Sequence, residues 1–233
     1  MNIAIMQPYF FPYLGYFQLI HSVDKFIILD DVNYPKGGWV NRNRVIANGK
    51  PTWITLPIAE PSPNVLIKNL KRRETPNVIK KQLRLLNQNY RKQSGFREAF
   101  PLIETLISEE SSNLSEYLTR TIKHTCNYLE IKTDLIESPI INHNNDLTGI
   151  DRIIAICQEL KAKQYINLPG GRSLYQHQKF QEHGINLKFI RPNLPHYNQP
   201  SDVFLPSLSI LDTILCNERS EASKMARDFV IED

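Results

Sequence analysis

The sequence predicts an α/β fold with a mostly parallel sheet and helices on its faces, and three observations carry that prediction. From about residue 130 to 190, short apolar runs alternate with segments of helical periodicity, the pattern of βαβ units. The N-terminus starts the same way, with the apolar run NIAI followed by a loop and a helix-like stretch. Between the two lie a hairpin signal and a section of helical spacing at about 75–130, which reads as a helical insertion in one compact unit over 1–233.

The elements follow in order. Residues 2–6 form a first strand, MQPYFFPYLGY a loop too rich in proline to be regular, and YFQLIHSV a short helix. KFIILDD is a second strand. WVNRNRVIA and PTWITLPI alternate as paired strands do and are joined by the turn signal NGK, so they form a hairpin beside the sheet. Thr75 and Pro76 open VIKKQLRLLNQNY as a helix, and PLIETLI and LSEYLTRTIKHTCNYL continue the helical pattern. IKTDLIES, QYINLP and INLKFI then read as strands, separated by the helices DLTGIDRIIAICQELKA and SLYQHQKFQEHG, the last ended by Gly184.

Composition narrows the function. A net charge of +4, with no basic run longer than Lys71–Arg73, leaves no stripe for nucleic acid and no polybasic membrane patch. Cys126, Cys157 and Cys216 are odd in number and lack CxxC spacing, so they read as buried thiols of a reducing compartment. With no signal-peptide pattern and no apolar run of spanning length, the expected location is cytoplasmic. His177 and His183 stand six apart, outside the spacing of a helical metal pair, and no metal site or cofactor is assigned. The expected partner is a small molecule, phosphorylated or nucleotide-linked.

In open α/β sheets ligands bind at the carboxyl edge, where the loops leaving the strands splay apart. MQPYFFPYLGY sits at such an edge, with Phe10, Phe11 and Phe17 expected inward and Gln7, Tyr9 and Tyr13 toward a ligand. INLPGGRSLYQ sits at another, where Gly170 and Gly171 would take positive φ and, with Asn167 and Tyr175, form an anion-facing loop. A diglycine before a helix is equally an ordinary tight turn.

The stretch DDVNYPKGGWVNRNR adds Asp30, Asp31, Tyr34, Lys36, Trp39, Asn41, Arg42 and Arg44 as candidate ligand contacts. Strand alternation would place Trp39, Asn41 and Asn43 on one face, an aromatic and amide surface for a sugar or base, and Val40, Arg42 and Arg44 on the other. The arginines suit phosphate or carboxylate. Adjacent strand residues point oppositely, so Asp30 and Asp31 are not expected to work as a close acid/base pair. In the irregular PHYNQPSDVFLPSLSILDTI, His196 is the candidate general base and Tyr197 and Gln199 further contacts, while Ser209 and Asp212 read as a helix N-cap and its first-turn acid.

MQPYFFPYLGYFQLI, VDKFIILDDVNYPKGGWVNRN, YINLPGGRSLY, FQEHGINLKFI and LSILDTILCN together resemble the WbqC-like family of bacterial surface-polysaccharide and O-antigen gene clusters. The resemblance implies action on a nucleotide-linked or lipid-linked sugar, such as transfer of an acyl or aminoacyl group to an amino sugar. PYLGYFQLI also occupies the place where nucleotidyltransferase-like (HUP/Rossmann-like) enzymes carry HxGH, which implies a core of that type. Here the motif positions are Tyr13, Leu14, Gly15 and Tyr16, so both histidines are absent and nucleotidyl transfer by those groups does not carry over. Three functions therefore stand: a sugar-modifying transferase, an adenylate-forming or nucleotidyl-transferring enzyme using a nucleoside triphosphate, and a non-catalytic partner in polysaccharide assembly.

Overall fold

A computed structural model of the chain describes residues 1–73, 75–138 and 146–233. The central sheet is built from β1 (Asn2–Met6), β2 (Lys25–Ile28), β7 (Asp134–Glu137), β8 (Gln164–Asn167), β9 (Asn186–Pro192) and β10 (Phe229–Glu232). Their order across the sheet is β10-β9-β8-β1-β2-β7. Every neighbouring pair is parallel except β9 and β10. The mostly parallel α/β architecture expected from the strand and helix alternation is thus present. A separate antiparallel hairpin is made by β3 (Arg42–Ala47) and β4 (Lys50–Thr55). The short strands β5 (Ile58–Ala59) and β6 (Lys71–Arg72) pair with each other.

Strand alternation sorts the apolar side chains onto two faces. Ala4, Phe26, Ile28, Ile166 and Ile190 face a large core shared with α1 (Leu14–His21), α2 (Pro76–Tyr90), α3 (Phe96–Ser108), α4 (Leu114–Tyr128), α7 (Ile210–Cys216) and α8 (Arg219–Met225). Ile3, Ile5, Ile27, Tyr165, Leu187 and Phe189 face a smaller core under α5 (Gly149–Glu159) and α6 (His177–Glu182). Because both faces are covered, the strands carry near-continuous apolar runs instead of alternating with polar residues. The three cysteines are free and buried, as read from their spacing. Among the described residues no helix is long and apolar enough to cross a membrane.

Several boundaries differ from the sequence reading. Helix α1 starts at Leu14, two residues before YFQLIHSV, because Tyr13 already takes the extended N-cap conformation. SLYQHQKFQEHG is not one helix: a 3-10 turn over Pro169–Leu174 precedes α6, which covers only His177–Glu182. The closing strand β10 had no sequence expectation. Its partner β9 bonds it antiparallel, with Phe229 opposite Pro192 and Glu232 opposite Phe189.

Candidate functional site

β1 and β8 are neighbours in the sheet, but the chain leaves them in opposite directions. From β1 it passes through α1 to β2 on one side, and from β8 through α6 to β9 on the other. The loops after Met6 and Asn167 therefore diverge, which is the switch point where open α/β sheets bind ligands. A cleft of about 770 Å³ opens there, lined by the loop after β1, the turn after β8, the start of the hairpin and Ser207. That volume lies in the range of small-molecule sites.

The ring-rich loop splits its side chains between core and cleft. Phe10, Phe11 and Phe17 are fully buried, while Gln7, Tyr9 and Tyr13 line the cleft. Phe11 sits at φ +41°, a left-handed conformation that a bulky residue adopts only when its surroundings impose it. They do so through carbonyls: the Asn43 amide donates to Phe10 O and Phe11 O at 3.2 and 2.7 Å, and Ser209 Oγ donates to Phe11 O at 2.8 Å. Tyr9 stands edge-on to Tyr16 at 5.1 Å between centroids. Tyr16 is itself buried and donates its hydroxyl to Gln7 O. Burial pushes the Tyr9 phenol far above its ordinary range and the Tyr13 phenol up to about 12, so both remain protonated hydrogen-bond donors. Gly15 lies directly beneath the Tyr13 ring, where a Cβ would come within 2.6 Å of it.

The hairpin supplies the charge. β3 begins at Arg42, so the alternation expected across WVNRNR fails at its first three residues, which form a turn. Asn43 points into the protein, while Arg42 and Arg44 share the outer face with Trp53, the cross-strand partner of Arg44. Trp39 joins that face and does not share one with the asparagines: its ring lies 5.2 Å from Trp53 and 5.4 Å from the Arg44 guanidinium. Trp39, Asn43 and Arg44 line the cleft; Asn41 and Arg42 do not. Arg42 instead bonds the carbonyls of Gly37 and Gly38 and stacks on Trp53 at 4.5 Å. Asn41 donates to Leu56 O and accepts from Tyr34 Oη, which makes that pair a structural brace. Arg44 Nε is buried without a hydrogen-bond partner. Among the described residues no carboxylate pairs with either arginine.

The turn after β8 departs from the expected anion loop. Gly170 lines the cleft, but neither Gly170 nor Gly171 has positive φ, and the Gly171 amide is spent on Leu168 O inside the 3-10 turn. Gly171 is required by space: a Cβ there would meet Asn167 Nδ2 at 2.8 Å. Asn167 is occupied by Tyr165 Oη and its neighbour's amide, and Tyr175 packs edge-on against Tyr165 and Phe180.

Other candidates lie away from the cleft. Asp30 is buried and takes the Ser115 hydroxyl, with desolvation raising its pKa. Asp31 forms a buried ion pair with Arg152 at 2.6 Å, so the two acids have different partners. Lys36 is exposed in the turn before Trp39. His196, the candidate general base, is exposed and stacked on Phe204 and does not line the cleft. Tyr197 and Gln199 both donate to Asp212 Oδ2 at 2.7 Å. Ser209 does cap α7, but Asp212 is a fully buried acceptor for Tyr90, Tyr197 and Gln199 and not a surface first-turn acid. Sequence reasoning missed Ser207 at the cleft; it has φ +55°, and nothing in PSLS signals that conformation. Asn43 was assigned only a face, and its strand position next to Arg44 is the signal that could have found it.

The profile of the WbqC-like protein family matches residues 7–224, nearly the whole chain and all of the cleft lining except Met6. The chain belongs to the WbqC-like family. The uncharacterized protein Rv1507c of Mycobacterium tuberculosis is 34% identical over 232 residues, covering 97% of each chain. No solved structure matches. The residues that bring the WbqC-like blocks together are now visible: MQPYFF and WVNRN meet through Asn43 and the phenylalanine carbonyls, and LSILDT joins them through Ser209.

Proposed function

We propose that this WbqC-like protein is a transferase that modifies a sugar carried on a nucleotide, binding it in the switch-point cleft. The observation that carries the reading is Arg44, a cation with no carboxylate partner among the described residues, set in a cleft lined mostly by aromatic and apolar residues. Arg44 is half-buried and its Nε is fully buried, and a cation so placed costs free energy unless an anion compensates it, which a phosphate does with charge-assisted hydrogen bonds. The Gln7 amide offers a donor and an acceptor for a polar ring edge. Acyl or aminoacyl transfer to an amino sugar suits these walls. The sugar's unprotonated amine is the nucleophile: its nitrogen bonds to the acyl carbon, the donor's leaving group departs, and the amine proton is lost to water. Tyr9 and Tyr13, kept protonated, can donate to the oxygen that gains charge.

A second reading, a non-catalytic binding partner, is favoured by one fact: among the described residues, no aspartate, glutamate, histidine, lysine or cysteine lines the cleft. Thermal-shift screening of nucleoside mono-, di- and triphosphates, nucleotide-sugars and acyl donors separates these readings, since ligands of the native state raise its stability. Stabilisation by nucleotide-sugars that Arg44→Ala abolishes supports the cleft reading. Acylated product on mixing an amino-sugar nucleotide with its donor supports the transferase, binding without product the second reading, and a preference for triphosphate with magnesium the nucleotidyltransferase alternative.

A further inference from the structure

The cleft does not end at its lining. Trp39 belongs both to the cleft wall and to a second feature outside it, the Trp39–Trp53 pair, whose rings lie 5.2 Å apart with a 41° tilt. Both indoles are close to half exposed, at 45% and 47%. One exposed tryptophan is unremarkable, but two in contact at the mouth of a cleft form a rigid apolar platform that water covers at a cost. Arg42 holds this arrangement, stacking on Trp53 and bonding the Gly37 and Gly38 carbonyls that lead into Trp39. Arg44 stands between the regions, lining the cleft while its guanidinium lies 5.4 and 5.9 Å from the two indole centroids.

We propose that the Trp39–Trp53 pair is the saccharide subsite of this site, stacking the sugar ring of a nucleoside diphosphate sugar whose phosphates meet Arg44. The proposal rests on the nucleotide-sugar reading above. The order of chemistries along the protein matches the order of groups along such a ligand. Rings and the Gln7 amide lie inside, as a base requires. A cation follows, as the phosphates require, and then an open indole platform, which suits the C–H face of a pyranose and leaves its hydroxyls in water for a second substrate to reach. Arg42 is a positioning residue here: its Nε and Nη2 hold the turn that carries Trp39.

The protein has two tryptophans, and they are this pair, so intrinsic indole emission reports the subsite directly. Uridine, thymidine and guanosine diphosphates and their hexose conjugates are titrated against the intact protein and the variants Trp53→Ala, Trp53→Phe and Arg44→Ala, with thermal melts confirming that each variant is folded. A conjugate is expected to quench emission and to bind about three- to tenfold more tightly than its own diphosphate. Trp53→Ala should erase that advantage, Trp53→Phe retain part of it, and Arg44→Ala weaken both ligands together. If the advantage survives Trp53→Ala, the saccharide subsite is wrong while the cleft reading stands. If no diphosphate or conjugate binds, both are wrong.

Discussion

The Asn43 side-chain amide donates to the Phe11 carbonyl oxygen at 2.7 Å, bridging the hairpin and the loop that leaves β1. Phe11 is held at φ +41° by that bond, by Ser209 and by the burial of its own ring. Replacing Asn43 with alanine leaves the Phe10 carbonyl without this donor and removes one of two side-chain donors from Phe11. The expected loss is about 1–3 kcal/mol of unfolding free energy, read from urea midpoints at constant slope. Ligand affinity should fall as well, because Tyr9 and Arg44 are placed from the two sides of this bond.

Gly15→Ala should do the opposite. Alanine is favoured over glycine in a helix by up to about 1 kcal/mol, so the melting temperature should hold or rise. The new methyl would lie 2.6 Å from the Tyr13 ring, which must swing away and reshape the cleft wall. A variant as stable as the parent that binds nucleotide-sugars equally well would show that Tyr13 does not shape the site.

Asp212 predicts a pH dependence. Desolvation raises its folded pKa above 3.8, only partly offset by hydrogen bonds from Tyr90, Tyr197 and Gln199. The folded state therefore holds this proton more tightly than the unfolded chain. Its favourable contribution is complete below the unfolded pKa and is lost as pH rises through the raised folded value. Asp212→Asn lacks that titration, so the parent should gain stability relative to the variant as pH is lowered from 7 toward about 4. A stability difference that stays constant with pH would rule this out. Tyr90→Phe, which removes the donor to Asp212 and the acceptor for the Ile46 amide, should cost about 1–3 kcal/mol at neutral pH.

Gly171→Ala is expected to destabilise by overpacking, by about 1–3 kcal/mol. Asn167 Nδ2 is the atom in the way, and it is buried and committed to Tyr165 Oη. Because Gly171 does not line the cleft, affinity per folded molecule should change little. Equilibrium unfolding with ligand titration on the same sample distinguishes the two effects.

The sheet was legible in the sequence because its signals are local: β7, α5, β8 and β9 each announce themselves within about a dozen residues. The inward phenylalanines and the Tyr9 and Tyr13 orientation were readable for the same reason. What failed was decided at a distance. Trp39 was assigned by strand alternation, but the strand begins only at Arg42, and Arg42 itself folds the preceding turn back over Trp53. Tyr197 and Gln199 looked like ligand contacts because they are polar residues in an irregular loop. Their partner is Asp212, itself hidden as a plausible cap-turn acid, and no spacing rule links it to Tyr90, 122 residues away. The diglycine suggested positive φ, where close packing on Asn167 is the constraint.

Gln18, buried on α1, donates its side-chain amide to the carbonyls of Asn193, Met225 and Asp228 at 2.7–2.9 Å. The Pro12 carbonyl likewise waits for the amide of Ile210. Chains emerge from the ribosome N-terminus first, so the loop that walls the cleft is synthesised long before these partners: Ser209 follows Phe11 by 198 residues. Until then its phenylalanines have no Ser209 to fix the Phe11 carbonyl and no α7 to cover them. Completion of the cleft wall therefore waits for the segment that carries Ser209, and a nascent or truncated chain halted before residue 209 would leave the aromatic loop uncovered and adhesive to the cell's chaperones.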